Sequence, residues 1–155
     1  MSQDLIKSLM VGRGYMNMHT NGLTEEQLLA IPEGMESNIL WHLGHLYNSH
    51  CGMLYPHCDA ENPCPAAYQD MFKGGSKPAD WAEAPNVQEI VDNFNGVAKQ
   101  IADDYAAGAF ANYQSWDLMP GMSIENPEDA IGFIIVHESV HHGNIIVMRR
   151  LLGIS

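Results

Sequence analysis

His137 and His141 lie four residues apart in an apolar segment, Ala130 to Leu152, that has the spacing of one long helix. Residues four apart on an α-helix project from the same face one turn apart, so two imidazoles can bind one ion. Apolar residues share this face, which directs both rings into the core. A buried neutral imidazole has one donor and one acceptor to satisfy, and a cation with surrounding hydrogen bonds meets both needs. The pair therefore predicts a metal site.

A third ligand must come from elsewhere, and the second long apolar segment offers two further histidines. His42 and His45 lie about 60° apart on an ideal helix, so the helical wheel separates them only partly. His45 shares its face with small and polar residues, as expected for a cavity wall, whereas the packing side is aliphatic. We therefore predict His45 as the third ligand. The residues expected around the site are Trp41, His42, Ser49 and Asn144.

Helices must hold these residues in place. Apolar residues recur at threes and fours in four long segments, and capping residues, glycines or prolines mark their ends. No alternating strand pattern is visible. The long helices are predicted at 2–20, 37–55, 86–108 and 127–152, short helices at 25–30 and 66–72, and irregular segments at 57–85 and 110–126. This pattern predicts an all-α fold, a four-helix bundle with a long crossover between helices two and three, in a single domain spanning residues 1–155.

The composition narrows the class of protein. A chain of 155 residues suits one hydrophobic core, and its net charge of −12 opposes binding to nucleic acids and anionic membranes. We expect no signal peptide, because the sequence does not open on a basic segment followed by an apolar one, and no uninterrupted apolar run is long enough to span a membrane. The three cysteines are clustered without zinc-ribbon spacing, which favours reduced thiols. We expect a cytoplasmic protein that acts on a small molecule, with neither nucleic acid nor a membrane as partner.

The last helix is also apolar on the side away from the histidines, at Ile131, Ile135 and Ile146. A helix that is apolar all round usually contacts a second partner surface. We therefore expect a homodimer formed through this outer side, with coverage by a neighbouring crossover as the alternative.

Two segments together resemble a known family. Trp41-His42-Leu43-Gly44-His45 in the second helix and His137-Glu138-Ser139-Val140-His141-His142-Gly143-Asn144 in the last resemble the DinB-like family of metal-binding four-helix bundles. The resemblance covers nearly the whole chain. It implies that the three histidines predicted above bind a divalent ion, although Asn144 stands where glutamine is more usual in the family.

Three histidines leave at least one coordination position open, as in catalytic zinc sites. The resemblance implies metal-dependent hydrolysis, or transfer or isomerisation that uses a low-molecular-weight thiol as a second substrate. Ligation by nitrogen alone favours zinc or nickel, with iron or manganese as alternatives. The sequence thus favours a metal-dependent hydrolase or a thiol-dependent transferase. The alternative is a non-enzymatic protein that binds metal or a small ligand in a stress response.

The segment from His137 to His141 also spells the signature of zincin peptidases, in which Glu138 would be the general base. Its context does not fit a peptidase. One zincin branch has glycine at the position of Asn144, and the other needs a glutamate further downstream, whereas no glutamate follows Glu138 in this sequence. Glu138 projects about 100° from His137. We therefore expect a solvated or subunit-facing carboxylate, with general base as the minority interpretation.

Overall fold

Helices dominate the part of the chain that the computed structural model describes, residues 2–154. Met1 and Ser155, the ends of the predicted domain, lie outside this range. The six α-helices of the described residues are α1 (Ser2–Thr20), α2 (Glu25–Leu29), α3 (Ile39–Leu54), α4 (Ala66–Met71), α5 (Val87–Ala106) and α6 (Pro127–Leu151). The strands β1 (Trp116–Met119) and β2 (Met122–Ile124) form one small antiparallel sheet. The predicted all-α class is confirmed, with this hairpin as an addition.

Polar residues begin the helices by accepting hydrogen bonds from backbone N–H groups that have no partner within the helix. Asn38, Asn86 and Asn126 cap α3, α5 and α6, and Pro127 follows in the first turn of α6. Thr24 and Gln27 form a capping box at the start of α2. The cap of α3 is Asn38, which accepts from the Trp41 backbone N–H, and not the neighbouring Ser37.

Long-range side-chain pairs fix the directions of the four long helices. His42 lies beside His141 and His45 beside His137, so α3 and α6 are antiparallel. The helix α1 runs parallel to α6, because Arg13 pairs with Glu138, and His19, further along α1, contacts His142 and Arg149, further along α6. The helices α3 and α5 end near each other, where the Tyr55 hydroxyl donates to Asp104. Since α3 and α5 are parallel neighbours, a long crossover must join them.

This crossover, residues 55–86, packs back onto α3. It contains α4, whose C-cap residue Phe72 is completely buried. A Trp41 Nε1 donor on α3 reaches Ser76 Oγ at 3.0 Å, so the chain after α4 is also held against α3. The segment predicted as a partly ordered crossover thus forms one wall above the histidine-bearing surface of α3.

The hairpin corrects the prediction that 110–126 is irregular. Trp116 pairs with Ile124, and the turn contains Pro120 and Gly121, the latter with φ of +83°. A turn of this kind accepts proline at its second position and requires glycine where φ is positive. The Pro-Gly dipeptide was therefore a usable turn signal. Strands of four and three residues are too short to show clear alternation in the sequence.

The exposed side of α6 also differs from the prediction. Ile131 is only 1% exposed, and Ile135 and Ile146 are partly buried, so these isoleucines contribute to packing within the chain. By length and composition alone, α6 is long and apolar enough to cross a membrane, a property that core helices of soluble proteins share. The homodimer itself stays a prediction.

Candidate metal centre

Three imidazoles meet between α3 and α6. His45 comes from α3, and His137 and His141 come from successive turns of α6. The Nε2 atom of His137 lies 3.3 Å from Nε2 of His45 and 3.2 Å from Nε2 of His141. One nitrogen from each ring lies within 4.8 Å of the other two. The structure thus brings together the three histidines that the sequence singled out, as a group that could hold a metal ion.

The orientation of His45 is fixed from two sides. Its Nδ1–H donates to the backbone carbonyl of Phe72 at 2.7 Å, which leaves the lone pair of Nε2 directed at the other two histidines. The indole of Trp41 stacks on the ring, with centroids 4.8 Å apart and planes 6° apart. Phe72 can approach this closely because Gly44 has no side chain; a Cβ there would lie 2.6 Å from the Phe72 ring.

A second histidine orients His141. His42 Nδ1 lies 2.7 Å from His141 Nδ1, and His42 Nε2 lies 3.1 Å from Ser37 Oγ. If His141 keeps the lone pair of Nε2 free for an ion, its Nδ1–H donates to His42, whose Nε2–H then donates to Ser37. This assignment gives each of these nitrogens one role. The sequence placed His42 near the site but did not assign Ser37 to it.

His137 lacks a comparable partner. Its ring stacks on Phe133, with planes 12° apart, and its Nδ1 is buried without a hydrogen-bond partner among the described residues. The imidazole is therefore positioned by ring stacking and by the α6 backbone rather than by a hydrogen bond at Nδ1.

Burial keeps these rings neutral. It lowers the pKa of His137 to about 4, helped by the nearby His45, and that of His141 to about 3, helped by His42 and the other site histidines. Burial likewise lowers the pKa of His42 to about 4, and it lowers the pKa of His45 although the bond to Phe72 opposes the shift. Only the neutral imidazole has a lone pair for a metal ion. At neutral pH the rings are thus in the ligating state.

The donor set fits a divalent transition metal. Two ligand nitrogens at 2.0–2.1 Å from a tetrahedral ion are about 3.3 Å apart, close to the 3.2 and 3.3 Å separations measured here. Among the described residues, no fourth His, Cys, Asp or Glu joins the group. The three cysteines are free, and burial raises the pKa of the Cys64 thiol to about 11, so it stays protonated. The side chains therefore offer three ligands, and no fourth ligating side chain of the described residues completes the group.

Glu138 lies on the side of α6 that faces α1, outside the histidine group. It is only 4% exposed, and Arg13 donates to both of its carboxylate oxygens, from Nε at 3.1 Å and from Nη2 at 3.0 Å. The expectation of a solvated or subunit-facing acid was wrong, because α1 covers this side of α6 with a buried cation. A carboxylate bound at both oxygens is held in place rather than free to accept a substrate proton. The ion pair with Arg13 thus argues against Glu138 as a general base, a role that stays a prediction.

The remaining predicted neighbours divide into two groups. Trp41 and His42 contact the site histidines directly, and Ser49 Oγ lies 3.5 Å from His45 Nε2. Asn144 is exposed on α6, and its side chain contacts none of the three site histidines through a hydrogen bond. Sequence reasoning missed the Phe72 carbonyl and Ser37, because a backbone carbonyl and a serine before a helix have no pattern that distinguishes them.

Comparison with known proteins agrees with this geometry. No curated protein matches the chain in sequence. The profile of the DinB superfamily matches residues 9–145, which include α3, most of α6 and all three clustered histidines. Because this match covers most of the sequence, the chain belongs to the DinB superfamily.

Proposed function

We propose that this chain is a metal-dependent enzyme, a hydrolase or a low-molecular-weight-thiol-dependent transferase, whose divalent ion is bound by His45, His137 and His141. Zinc or nickel suits three imidazoles best, with iron or manganese as alternatives. The four long helices would form the four-helix bundle of the family. A small molecule would be the substrate, and the acidic chain would act in the cytoplasm without nucleic acid or membrane.

One observation carries the proposal: three Nε2 atoms converge, and no fourth ligating side chain among the described residues closes the group. Structural zinc sites are usually complete with four protein ligands, whereas catalytic sites keep one position for water or substrate. An ion bound there would lower the pKa of a water molecule or a thiol at the open position.

The surrounding side chains would orient the substrate. The Trp41 ring forms an apolar wall against His45, and the Ser49 hydroxyl, 3.5 Å from His45 Nε2, is close enough to donate a hydrogen bond to a bound substrate. The crossover around Phe72 limits the access of water from the α3 side.

The alternative is a protein that binds metal or a small ligand without turnover. Its ion would carry a closed coordination shell, and no hydrolytic or thiol substrate would be converted.

Metal analysis of protein prepared without a histidine tag tests the proposal first. We expect about one divalent ion per chain, loss of that ion in His137→Ala, and retention in His57→Ala, whose histidine stacks on Trp116 outside the site. Both variants and the wild type are then screened with thiol and hydrolytic substrates. Metal retained by His137→Ala would refute the site. A cobalt-substituted protein with a closed shell and no turnover would support the alternative.

A further inference from the structure

The buried Arg13 side chain on α1 contacts all three of the other long helices. Its Nε and Nη2 atoms donate to the two carboxylate oxygens of Glu138 on α6, at 3.1 and 3.0 Å. Its Nη1 donates to the backbone carbonyl of Phe94 on α5, and the guanidinium carbon lies 3.8 Å from the centroid of the Phe94 ring. Nη2 also lies 3.4 Å from Nδ1 of His50 on α3. The orientations of four helices thus meet at one side chain.

The pair that Arg13 forms with Glu138 is unusual in its burial. The two side chains are 3% and 4% exposed, and no other Lys, Arg, Asp or Glu is buried in the part of the chain that the structure describes. Removing two opposite charges from water offsets much of their attraction, so apolar side chains of similar size often stabilise a core equally well. A bidentate pair differs from apolar packing in its direction, because both carboxylate oxygens must face the guanidinium.

The helix α6 needs a directional contact because its apolar pattern specifies its rotation weakly. Ile131, Ile134 and Ile145 are buried, yet Val136 and Val140 are 58% and 60% exposed. A helix with apolar residues on several sides has no single face that must pack inward. A rotation of about 20° would move an imidazole nitrogen about 6 Å from the helix axis by about 2 Å. A metal site tolerates displacements of only about 0.5 Å.

Glu138 directly follows the ligand His137 in α6. The Nδ1 atom of His137 has no hydrogen-bond partner among the described residues, so this ring depends on the α6 backbone for its position. His141 lies one turn further along the same helix and rotates with it. We propose that the Arg13–Glu138 pair fixes the rotation of α6 and so directs its two ligands at His45. This inference rests on the proposed metal function, and it makes the pair positioning residues rather than catalytic ones.

The double variant Arg13→Met/Glu138→Leu tests the proposal, because it replaces the pair with apolar side chains. Tyr55→Phe is the matched control: it removes a buried hydrogen bond that joins α3 to Asp104 on α5 rather than to α6. We expect the double variant to unfold in urea close to the wild type. Its cobalt(II) affinity should fall about 10- to 100-fold, with an altered absorption spectrum. Tyr55→Phe should keep the wild-type affinity and spectrum.

Nuclear magnetic resonance of chelator-treated protein gives a second readout that needs no metal. The ring centroids of His45 and His137 lie 5.2 Å apart, so their ring protons should show a nuclear Overhauser effect in the wild type and in Tyr55→Phe. We expect the double variant to lose it. Wild type that shows the effect but binds no cobalt would refute the metal function, and the effect in the double variant would then decide the positioning role alone. Wild type without the effect would overturn the proposed orientation.

Arg13→Lys keeps the proposal testable if the double variant does not fold. Lysine retains a charge opposite Glu138 but cannot donate to both carboxylate oxygens in the parallel geometry of a guanidinium. We expect a folded protein whose cobalt affinity is about 10-fold below that of the wild type. Wild-type affinity and spectrum in either variant would overturn the proposal, as would an equal loss in Tyr55→Phe. Failure of Arg13→Lys to fold would assign the pair to stability and also reject it.

Discussion

At the scale of single residues, a hydrogen bond at the second ring nitrogen orients two of the three site imidazoles, His45 and His141. His42 is the hydrogen-bond partner of His141, and their Nδ1 atoms are 2.7 Å apart. We predict that His42→Ala weakens metal affinity about 10- to 100-fold while the three ligands remain. Ser37→Ala should cause a smaller loss, because Ser37 reaches the site only through His42. Titration of both variants with cobalt(II) measures the effect, and an affinity for His42→Ala equal to that of wild type would contradict it.

A second residue-scale prediction concerns acid stability. His50 is completely buried; its Nδ1 lies 3.4 Å from Arg13 Nη2, and its Nε2 lies 3.9 Å from Glu138 Oε2. Burial, then the Arg13 charge and the three site histidines, hold the pKa of His50 well below its usual value. Folded His50 therefore stays neutral, whereas the unfolded chain takes up a proton below about pH 6.5. The stability that the protein has with neutral His50 is therefore fully present above about pH 6.5 and decreases as the pH falls below it.

We expect the free energy of unfolding of the metal-free protein to decrease as the pH falls below about 6.5. In His50→Asn the slope of this decrease should be smaller than in the wild type, by up to about 1.4 kcal/mol per pH unit. Asparagine keeps an acceptor for Arg13 but does not titrate. Urea unfolding in the presence of a chelator gives the two slopes. Other buried histidines contribute to both proteins, so the difference reports His50 alone, and equal slopes would reject the prediction.

At the scale of secondary-structure elements, the crossover positions His45. Phe72 ends α4 and supplies the carbonyl that receives the His45 Nδ1–H, and its ring lies against Gly44 of α3. We predict that Gly44→Ala pushes α4 away from α3, destabilises the fold by about 1–3 kcal/mol and weakens metal binding, because a methyl group overpacks a completely buried contact.

Gly52→Ala is the matched control for this prediction. Gly52 lies in the same helix, and apart from the adjacent residues and backbone of its own helix nothing lies within 4 Å of the point that an alanine Cβ would occupy. Alanine there should be neutral or stabilise the helix by up to about 1 kcal/mol. Urea unfolding and cobalt titration are measured on both variants. A Gly44→Ala protein that binds metal and unfolds like wild type would show that α4 does not position His45.

The sequence predicted the elements and the ligands better than the contacts that orient them. Spacing of four residues placed His137 and His141 on one face, and asparagine caps and helix-ending residues marked the long helices. The partners that hold the site are remote in sequence: Phe72 is 27 residues from His45, and Arg13 is 125 residues from Glu138. Helical periodicity shows which residues share a face but not which residue of another element lies opposite it. Glu138 was misjudged for this reason.

At the scale of the whole molecule, a metal ion in this site would join α3 to α6, two helices that are far apart in the sequence. Such a site exists only in the folded state, so binding contributes directly to the free energy of folding. At a free metal concentration of about 100 times the dissociation constant, the stabilisation is about 2.7 kcal/mol. For a chain of this length, that should raise the Tm by about 5 to 10 °C.

Differential scanning calorimetry of chelator-treated protein, with and without added zinc, measures this rise. His141→Ala should lose it, because two imidazoles on different helices bind a single ion far more weakly than three. Added magnesium should leave the Tm unchanged, since magnesium prefers oxygen ligands and the site offers only nitrogens. A zinc-dependent rise that persists in His141→Ala would mean that the stabilising ion binds elsewhere. An equal rise with magnesium would mean that the three histidines do not select the ion.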